Sequence, residues 1–537
     1  MIFLRSRTYF AAGIPCMDLG QKIFRNHRLR LGLILAAGAL LRFLCLDWGL
    51  PDARHEYPFH PDEEACVETV LYHSPQGKRF QTTQYGLLTG TGYFYAGKVA
   101  LELAEKVGLI RFGISEEPAS LVMQRRLYLL LRLLTVAFSI GTILLAYLAG
   151  KSWQGRTDGQ LAALFIAFEP VSVINAHYVK SDSAVTFFIM LTLYLALRSQ
   201  DRKAFLYLAG FAAGLAAATK YTAVFALLPL IAAPLLFNSA TPWRKIQHAA
   251  ITIPFFLVGF ATLSPAVFFY FDQLAHDLRR FPLLESGGLS CQQIIFHLWQ
   301  YPLLFARANG ALITLTFILA LITSLRRRER QDWLLYCWLL PYCILVISFS
   351  EFFLRYTVPM MPILSLLLAT AIPRRYRSAL SLLIALLLLG ASIVHLGAMA
   401  KTDPRIQAQK WIESHIPMRS SIALTMRYPA DHFFHVPIPS SNYRIYPLNM
   451  RKNMDVSSYL DIPFSYLAAN EIAWSKMVPD QHPSHELFWK ELNQSGEWNL
   501  LKTFQNRPRY MGPVFMKGQL PSDMYYLYQE IRIYQRR

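Results

Sequence analysis

Eleven apolar stretches, set apart by short connections, constrain this chain more than any other feature. They are Leu31–Leu46, Leu127–Gly150, Leu161–Ile174, Ala184–Leu197, Phe205–Ala218, Ala223–Phe237, Ile251–Tyr270, Ala311–Leu325, Leu334–Ser350, Val358–Ile372 and Leu380–Ala400. Several approach the roughly twenty residues that carry a helix across a bilayer. The shorter ones need a tilt, a thinner bilayer or burial among other helices. Hydrocarbon offers the backbone no hydrogen-bond partner, so such stretches fold as helices. Only 16% of residues are charged, against about a quarter in soluble domains. A soluble all-α protein also buries short apolar helices, but it does not string eleven together with so few charges between them. The fold class expected is an all-α polytopic membrane protein with about eleven transmembrane helices.

The net charge of +19 suggests nucleic acid, but the positions of the cations argue against it. Lys and Arg come in bursts: Lys22/Arg25/Arg28/Arg30, Lys151/Arg156, Arg198/Arg202/Lys203, Arg244/Lys245, Arg326/Arg327/Arg328/Arg330 and Arg374/Arg375/Arg377. The first precedes the first apolar stretch and the others fall in every second connection, which is the positive-inside pattern. Residues 1–30 and the other bursts are therefore expected in the cytoplasm. An odd number of spans then leaves the tail outside. Met1–Cys16 is mildly apolar without a convincing cleavage site, so no cleaved signal peptide is expected, and Met17 is an alternative start.

The expected organisation is a cytoplasmic segment 1–30, a transmembrane module 31–400 with long external loops 48–124 and 271–301, and an external domain 401–537. Within the first loop, Tyr93–Leu109 reads as amphipathic helix, with Phe94, Val99, Leu103 and Val107 assigned to one face, suited to the membrane interface. The tail is polar and rich in Tyr, Trp and Pro, and long enough for its own core. A helix is expected at Arg405–His415 and strands at Ser421–Met426, Tyr510–Phe515 and Tyr525–Tyr534, making a small α/β domain. The six cysteines lack metal-ligand spacing. Cys45, Cys337 and Cys343 fall in spans. Cys66 and Cys291 fall in external loops, where a disulfide is permitted and two free thiols are expected.

Ionisable groups near spans are costly, so their positions are informative. His60-Pro61-Asp62-Glu63-Glu64 follows the first span. Arg125, Arg126 and Arg132 open the second. His177-Tyr178-Val179-Lys180-Ser181-Asp182 joins the third and fourth. Lys220-Tyr221 joins the fifth and sixth, and Glu351 and Arg355-Tyr356 precede the tenth. All of these belong to the same expected external face. Any one cation at a span end is ordinarily a snorkelling anchor, and a loop carboxylate is ordinarily just solvated. Their joint placement points to a site for an anionic, lipid-linked substrate: Arg and Lys hold phosphate, and a carboxylate nearby acts as general base on an acceptor hydroxyl.

These motifs, in this order, resemble the bacterial lipid-carrier-dependent glycosyltransferases of the GT-C superfamily, relatives of the dolichyl-phosphate-mannose protein mannosyltransferases. The resemblance rests on His60-Pro61-Asp62-Glu63, on Arg125-Arg126, on Ala176–Ser183, on the Gly-rich Ala209–Tyr221 ending in Lys-Tyr, and on Arg355-Tyr356-Thr357-Val358-Pro359-Met360-Met361-Pro362. It runs from about Arg30 to Lys401 with matching topology. The tail resembles the family's variable soluble domains loosely, through Trp411-Ile412-Glu413 and Ile416-Pro417.

The resemblance implies inverting transfer of a sugar from a polyprenyl-phosphate-linked donor to a protein, lipid or glycan acceptor outside the cytoplasm, in a bacterial inner membrane. Asp62 would be the general base, with Glu63 assisting it or positioning the acceptor. Arg355, Lys220 and Arg132 would bind the lipid phosphate. His60, His177, Lys180, Asp182, Tyr221 and Tyr356 would shape the donor and acceptor pocket. The following Glu64 leaves the identity of the base open by one position. No cofactor, metal or nucleic-acid partner is expected. The alternatives are a transporter or flippase of a lipid-linked or anionic substrate, which favours inverted repeats and midplane charges, and a polymerase or ligase of lipid-linked glycans. No internal repeat is seen.

Overall fold

The computed structural model describes residues 26–72, 82–110, 120–238, 241–279, 291–349, 352–426, 435–450, 459, 461–470, 483–507 and 520–537. Every one of the eleven apolar stretches is built on helix. In chain order the helices are α1 (His27–Phe43), α2 (Pro61–Tyr72), α3 (Gln84–Thr89), α4 (Gly92–Lys106), α5 (Leu121–Trp153), α6 (Arg156–Phe168), α7 (Pro170–Asn175), α8 (Asp182–Arg198) and α9 (Ala204–Thr219). A 3-10 turn Tyr221–Ala226 leads into α10 (Leu227–Phe237), followed by α11 (Pro242–Leu263), α12 (Pro265–Phe269), α13 (Phe271–Arg279), α14 (Cys291–Asn309), α15 (Ala311–Arg327) and α16 (Arg330–Ile347). A second 3-10 turn, Leu354–Met360, runs into α17 (Met361–Ala371), and α18 (Arg377–Met399) and α19 (Pro404–His415) complete the run.

Four helical stretches among the described residues are long and apolar enough to cross a membrane by length and composition: Leu121–Trp153, Pro242–Leu263, Leu354–Ala371 and Arg374–His415. The protein is a multi-pass membrane protein. The shorter helices differ: α15 keeps Leu312, Leu315 and Leu319 exposed, whereas α6 is buried by its neighbours. On α6, Ala162, Ala163, Phe165, Ile166 and Ala167 are all at most 1% exposed, so protein rather than lipid surrounds much of that helix.

Two local devices shape the bundle. The first is a mended helix break. Pro170 has no N–H for the carbonyl four residues back, and the Glu169 carboxylate takes the N–H groups of Val171 (3.0 Å) and Ser172 (2.7 Å). The freed carbonyls of Ile166 and Ala167 are filled by the fully buried Arg42 of α1, whose Nη2 and Nη1 reach them at 3.2 and 2.9 Å. The second is a close crossing of α9 on α11. A Cβ at Gly214 would stand 2.1 Å from the Phe256 carbonyl oxygen, and one at Gly259 2.1 Å from that of Phe211. Only small residues permit such an approach of two backbones; α9 ends at Thr219, with Lys220 as its C-cap.

The loop after α1 folds into α2, α3 and α4. On α4 the assigned face needs correction. Val99, Leu103 and Val107 are indeed exposed, but Phe94 is buried with Tyr93, Gly97, Leu101 and Ala104 on the opposite side. At about 100° per residue, Phe94 lies far round the helix from the other three. The loop 271–301 is not irregular where described: it carries α13 and the start of α14. Cys66 is buried and Cys291 exposed, and both are free.

After α19 comes a five-stranded sheet, β1 (Ser421–Met426), β2 (Arg444–Asn449), β3 (Tyr466–Asn470), β4 (Trp498–Gln505) and β5 (Glu530–Arg536), with α20 (Pro483–Gln494) before β4. The strand order is β2-β1-β3-β5-β4; β1 pairs parallel with β2 and β3, and β5 antiparallel with β3 and β4. Alternation along the strands makes two cores. Ala423, Leu467 and Tyr534 pack with Phe488 of α20, and Ile422, Leu424, Ile531 and Ile533 pack with Ile412 of α19. The tail is thus an α/β unit. The strand expected at Tyr525–Tyr534 starts later, because Ser522–Tyr526 is a 3-10 turn, and its Met524, with Leu527 and Tyr528 just after it, is buried in the helical bundle. The strand expected at Tyr510–Phe515 lies outside the described residues.

Candidate active site

Three adjacent carboxylates open α2, and helical geometry sends them in three directions. Pro61 starts the helix where its missing N–H costs nothing. Before it, the buried His60 accepts the Asp62 N–H on Nδ1 at 3.3 Å. Its ring is held between Tyr178 (4.4 Å) and Tyr526 (4.6 Å). Burial, then the nearby Lys180 charge, push the His60 imidazole well below its ordinary range, so it is neutral and free to accept.

Glu63 points inward and is fully buried. Its Oε1 and Oε2 accept Arg132 Nε and Nη2 at 2.8 and 2.6 Å, and Oε1 also accepts the Val179 N–H at 2.8 Å. Arg132 Nη1 donates to the carbonyls of Leu46 (2.6 Å) and Trp48 (2.8 Å). This pair ties the exit of α1, α2, α5 and the turn before α8 into one knot. Both side chains are fully buried and engaged with each other and with backbone, so the structure places Arg132 and Glu63 in the packing between helices rather than in the cluster around Asp62. Glu64 is half-buried, and burial and the neighbouring Glu68 push its carboxyl up.

Asp62 alone of the three faces the cations. Its Oδ2 lies 2.9 Å from Lys180 Nζ and 2.8 Å from Arg355 Nη1. Burial opposes its charge, but Arg355 and Lys180 outweigh burial and hold the carboxyl well below the usual carboxylate range. Both cations thus converge as close ion pairs on the same carboxylate oxygen, Asp62 Oδ2. Next to them, Lys220 Nζ donates to Asp182 Oδ1 at 2.7 Å. Tyr356 joins the two halves, with Arg355 Cζ 5.7 Å and Lys220 Nζ 5.8 Å from its ring centre. Phe353 backs the guanidinium at 4.3 Å. Three cations here, Lys180, Lys220 and Arg355, meet three carboxylates, Asp62, Asp182 and Asp523, the last through the Leu354 and Arg355 backbone.

The fold thus gathers His60, Asp62, Lys180, Asp182, Lys220, Arg355 and Tyr356 from four separate parts of the chain. It does not bring the other expected residues into the cluster. His177 is fully buried, with its ring nitrogens 2.8 Å from the carbonyls of Val173 and Leu44. Tyr221 hydrogen-bonds the Leu87 carbonyl at 2.8 Å and ties α3 to the end of α9. Glu351 lies outside the described residues. Arg125 makes a surface pair with Asp47 at 3.0 Å, and Arg126 is exposed.

Several residues escaped the sequence reading. Arg42 and Glu169 lie inside apolar stretches, where an ionisable residue is itself a signal. Tyr178 was legible only as part of the turn motif. Asp523 and Tyr526 of the tail reach the cluster with no local signal.

Residues 93–274 match the family model described as dolichyl-phosphate-mannose-protein mannosyltransferase. The chain is a membrane glycosyltransferase, similar to this family's model over that segment. The matched segment includes Lys180, Asp182 and Lys220, and excludes Asp62 and Arg355. Comparison with curated proteins gives no match. Among solved structures, the transferase is similar to the apo oligosaccharyltransferase of Archaeoglobus fulgidus, at 12% identity and a TM-score of 0.50, over 83% of this chain and 70% of that one. It is also similar to apo ArnT from Cupriavidus metallidurans, at 13% identity and a TM-score of 0.49, over 96% and 98% of the two chains. At such identities the likeness to the archaeal enzyme is one of fold.

Proposed function

We propose that this transferase moves a sugar, with inversion, from a polyprenyl-phosphate-linked donor to an acceptor on the non-cytoplasmic face of a bacterial inner membrane, with Asp62 as general base. The observation that carries this reading is the convergence of two cations, Lys180 Nζ and Arg355 Nη1, on the single carboxylate oxygen Asp62 Oδ2. Two cations sharing one oxygen leave donor capacity for a second anion, and a phosphate offers them more acceptor oxygens than one carboxylate does.

In this reading Arg355 and Lys220 hold the lipid phosphate from either side of Tyr356, with Lys180 beside them. The acceptor oxygen attacks the anomeric carbon as the bond from that carbon to the phosphate oxygen breaks. The acceptor proton passes to Asp62, and the electron pair leaves on the lipid phosphate, where the cations stabilise the added charge. Arg355 and Lys180 drawn to phosphate would no longer grip Asp62, so donor binding would itself raise the basicity of the base. Glu63 and Arg132 act at one remove, by fixing α2 against α5. We assign eleven spans, with residues 1–30 in the cytoplasm and the 401–537 domain outside, from the apolar stretches and the alternation of basic bursts.

The test is chemical. Surface glycans and lipid extracts of a deletion strain, compared by mass with the parent, should lack one sugar while the charged lipid donor accumulates. Unchanged glycans with mislocalised lipid-linked precursor would favour a flippase instead.

A further inference from the structure

The 3-10 turn that carries Arg355 does not cap itself. It begins at Phe353, whose side chain makes no cap hydrogen bond, leaving the first N–H groups of the turn in need of acceptors. Asp523 supplies them from 168 residues further on: its Oδ1 accepts the Leu354 N–H at 2.7 Å and its Oδ2 the Arg355 N–H at 2.9 Å. The segment bearing Asp523 is anchored to the bundle at several points. The Tyr526 ring packs on His60, the residue that caps Asp62. The Tyr526 carbonyl accepts Arg405 Nη2 at 3.2 Å, and the Tyr528 hydroxyl lies 2.6 Å from Nδ1 of His395 on α18. Met524 and Leu527 are buried in the bundle core.

We propose that Asp523 is a positioning residue for the donor site, holding the backbone of Arg355 so that its guanidinium meets the lipid phosphate, and that the C-terminal domain is thereby an integral part of that site. The inference rests on the reading of Arg355 as a phosphate ligand. Both oxygens of Asp523 accept from the backbone of residues 354 and 355, while the guanidinium points to Asp62. Phe353 and Tyr356 flank that guanidinium but only define its sides; the backbone sets its reach. The same segment touches His60 through Tyr526. A shift of residues 522–528 therefore moves the phosphate clamp and the mounting of the base together.

The experiment uses the full chain in nanodiscs, with polyprenyl phosphate alone as the probe. Asp523→Ala should weaken phosphate binding about tenfold, the scale of one charge-assisted hydrogen bond. Asp523→Asn, nearly isosteric and less disruptive to folding, should fall between it and the parent. In an Arg355→Ala background, Asp523→Asn should change binding no further, because positioning acts only through the group positioned. Parent-like binding by Asp523→Asn and Asp523→Ala, or the same loss with and without Arg355, overturns the inference and leaves the donor reading standing. Failure of the parent itself to bind polyprenyl phosphate overturns the donor reading, and this inference with it.

Discussion

Replacing Asp62 by Asn separates the two roles an acidic residue can have in this cluster. The change is nearly isosteric and removes one negative charge and one proton acceptor. Loss of a general base costs about 10²–10⁴-fold in turnover. The effect on the donor has the opposite sign. Asp62 Oδ2 lies 2.8–2.9 Å from two cations, so a phosphate oxygen sharing them would stand about 5 Å from the carboxylate, where like charges at an effective dielectric of 20 repel by ~3 kcal/mol. Removing that repulsion makes donor binding as tight as in the parent or tighter, by up to about a hundredfold on this estimate. The assay is transfer of labelled sugar at saturating donor, alongside direct donor binding by the same preparation. Turnover lost with donor affinity kept or improved is the expected result. Affinity and turnover lost in parallel would refute the assignment of Asp62 as a base competing with phosphate for the same cations. Full activity in Asp62→Asn would refute the transferase site altogether.

Glu63→Gln should act on the fold rather than on the chemistry. It strands the buried Arg132 charge, a loss of about 3–5 kcal/mol, read as a lower Tm in detergent. A parent-like Tm with lost transfer would return Glu63 to the list of reacting groups. Arg355→Lys keeps charge but not the planar fork, so donor affinity should fall. Lys220→Ala should be strongly non-additive with it, because both cations flank Tyr356; additive effects would separate them. On acidification, the depressed Asp62 carboxyl stays ionised through the ordinary carboxylate range near pH 4. Its pairing stabilises the fold fully above that range and is lost only as pH falls well below it. The kcat/KM profile should therefore show no acidic limb from Asp62 between about pH 5 and 7, and a limb there that vanishes in Asp62→Asn contradicts the double ion pair. A reporter active only outside the cytoplasm should work after Lys401 and be silent within Arg326–Arg330; the reverse pattern overturns the orientation.

The amino-acid sequence by itself determined the bundle, because both signals involved are local. An apolar stretch forms helix for want of other partners in hydrocarbon, and the basic bursts alternate between connections. It also placed the helix at 404–415 and the strand Ser421–Met426 with little error, since a Pro-led amphipathic turn and a short apolar run carry their own periodicity. At the site it supplied the residue types, but not their partners. Which of Asp62, Glu63 and Glu64 faces the cations depends on how α2 is rotated against α5, and that rotation is set by the buried Glu63–Arg132 pair, 69 residues apart in the chain. Spacing cannot distinguish an arginine that meets Asp62 in the cluster from one that closes a knot of backbone carbonyls. For the same reason Arg132 and Arg355 looked alike until their donors were counted. The link from Asp523 to Arg355 lay furthest from view. It joins an unremarkable loop residue of the tail to bare backbone N–H groups, and hydrogen bonds to backbone leave no mark on the sequence of the residue that receives them. Only the docking of the tail against the helices decided that contact, and with it the position of the guanidinium beside Asp62.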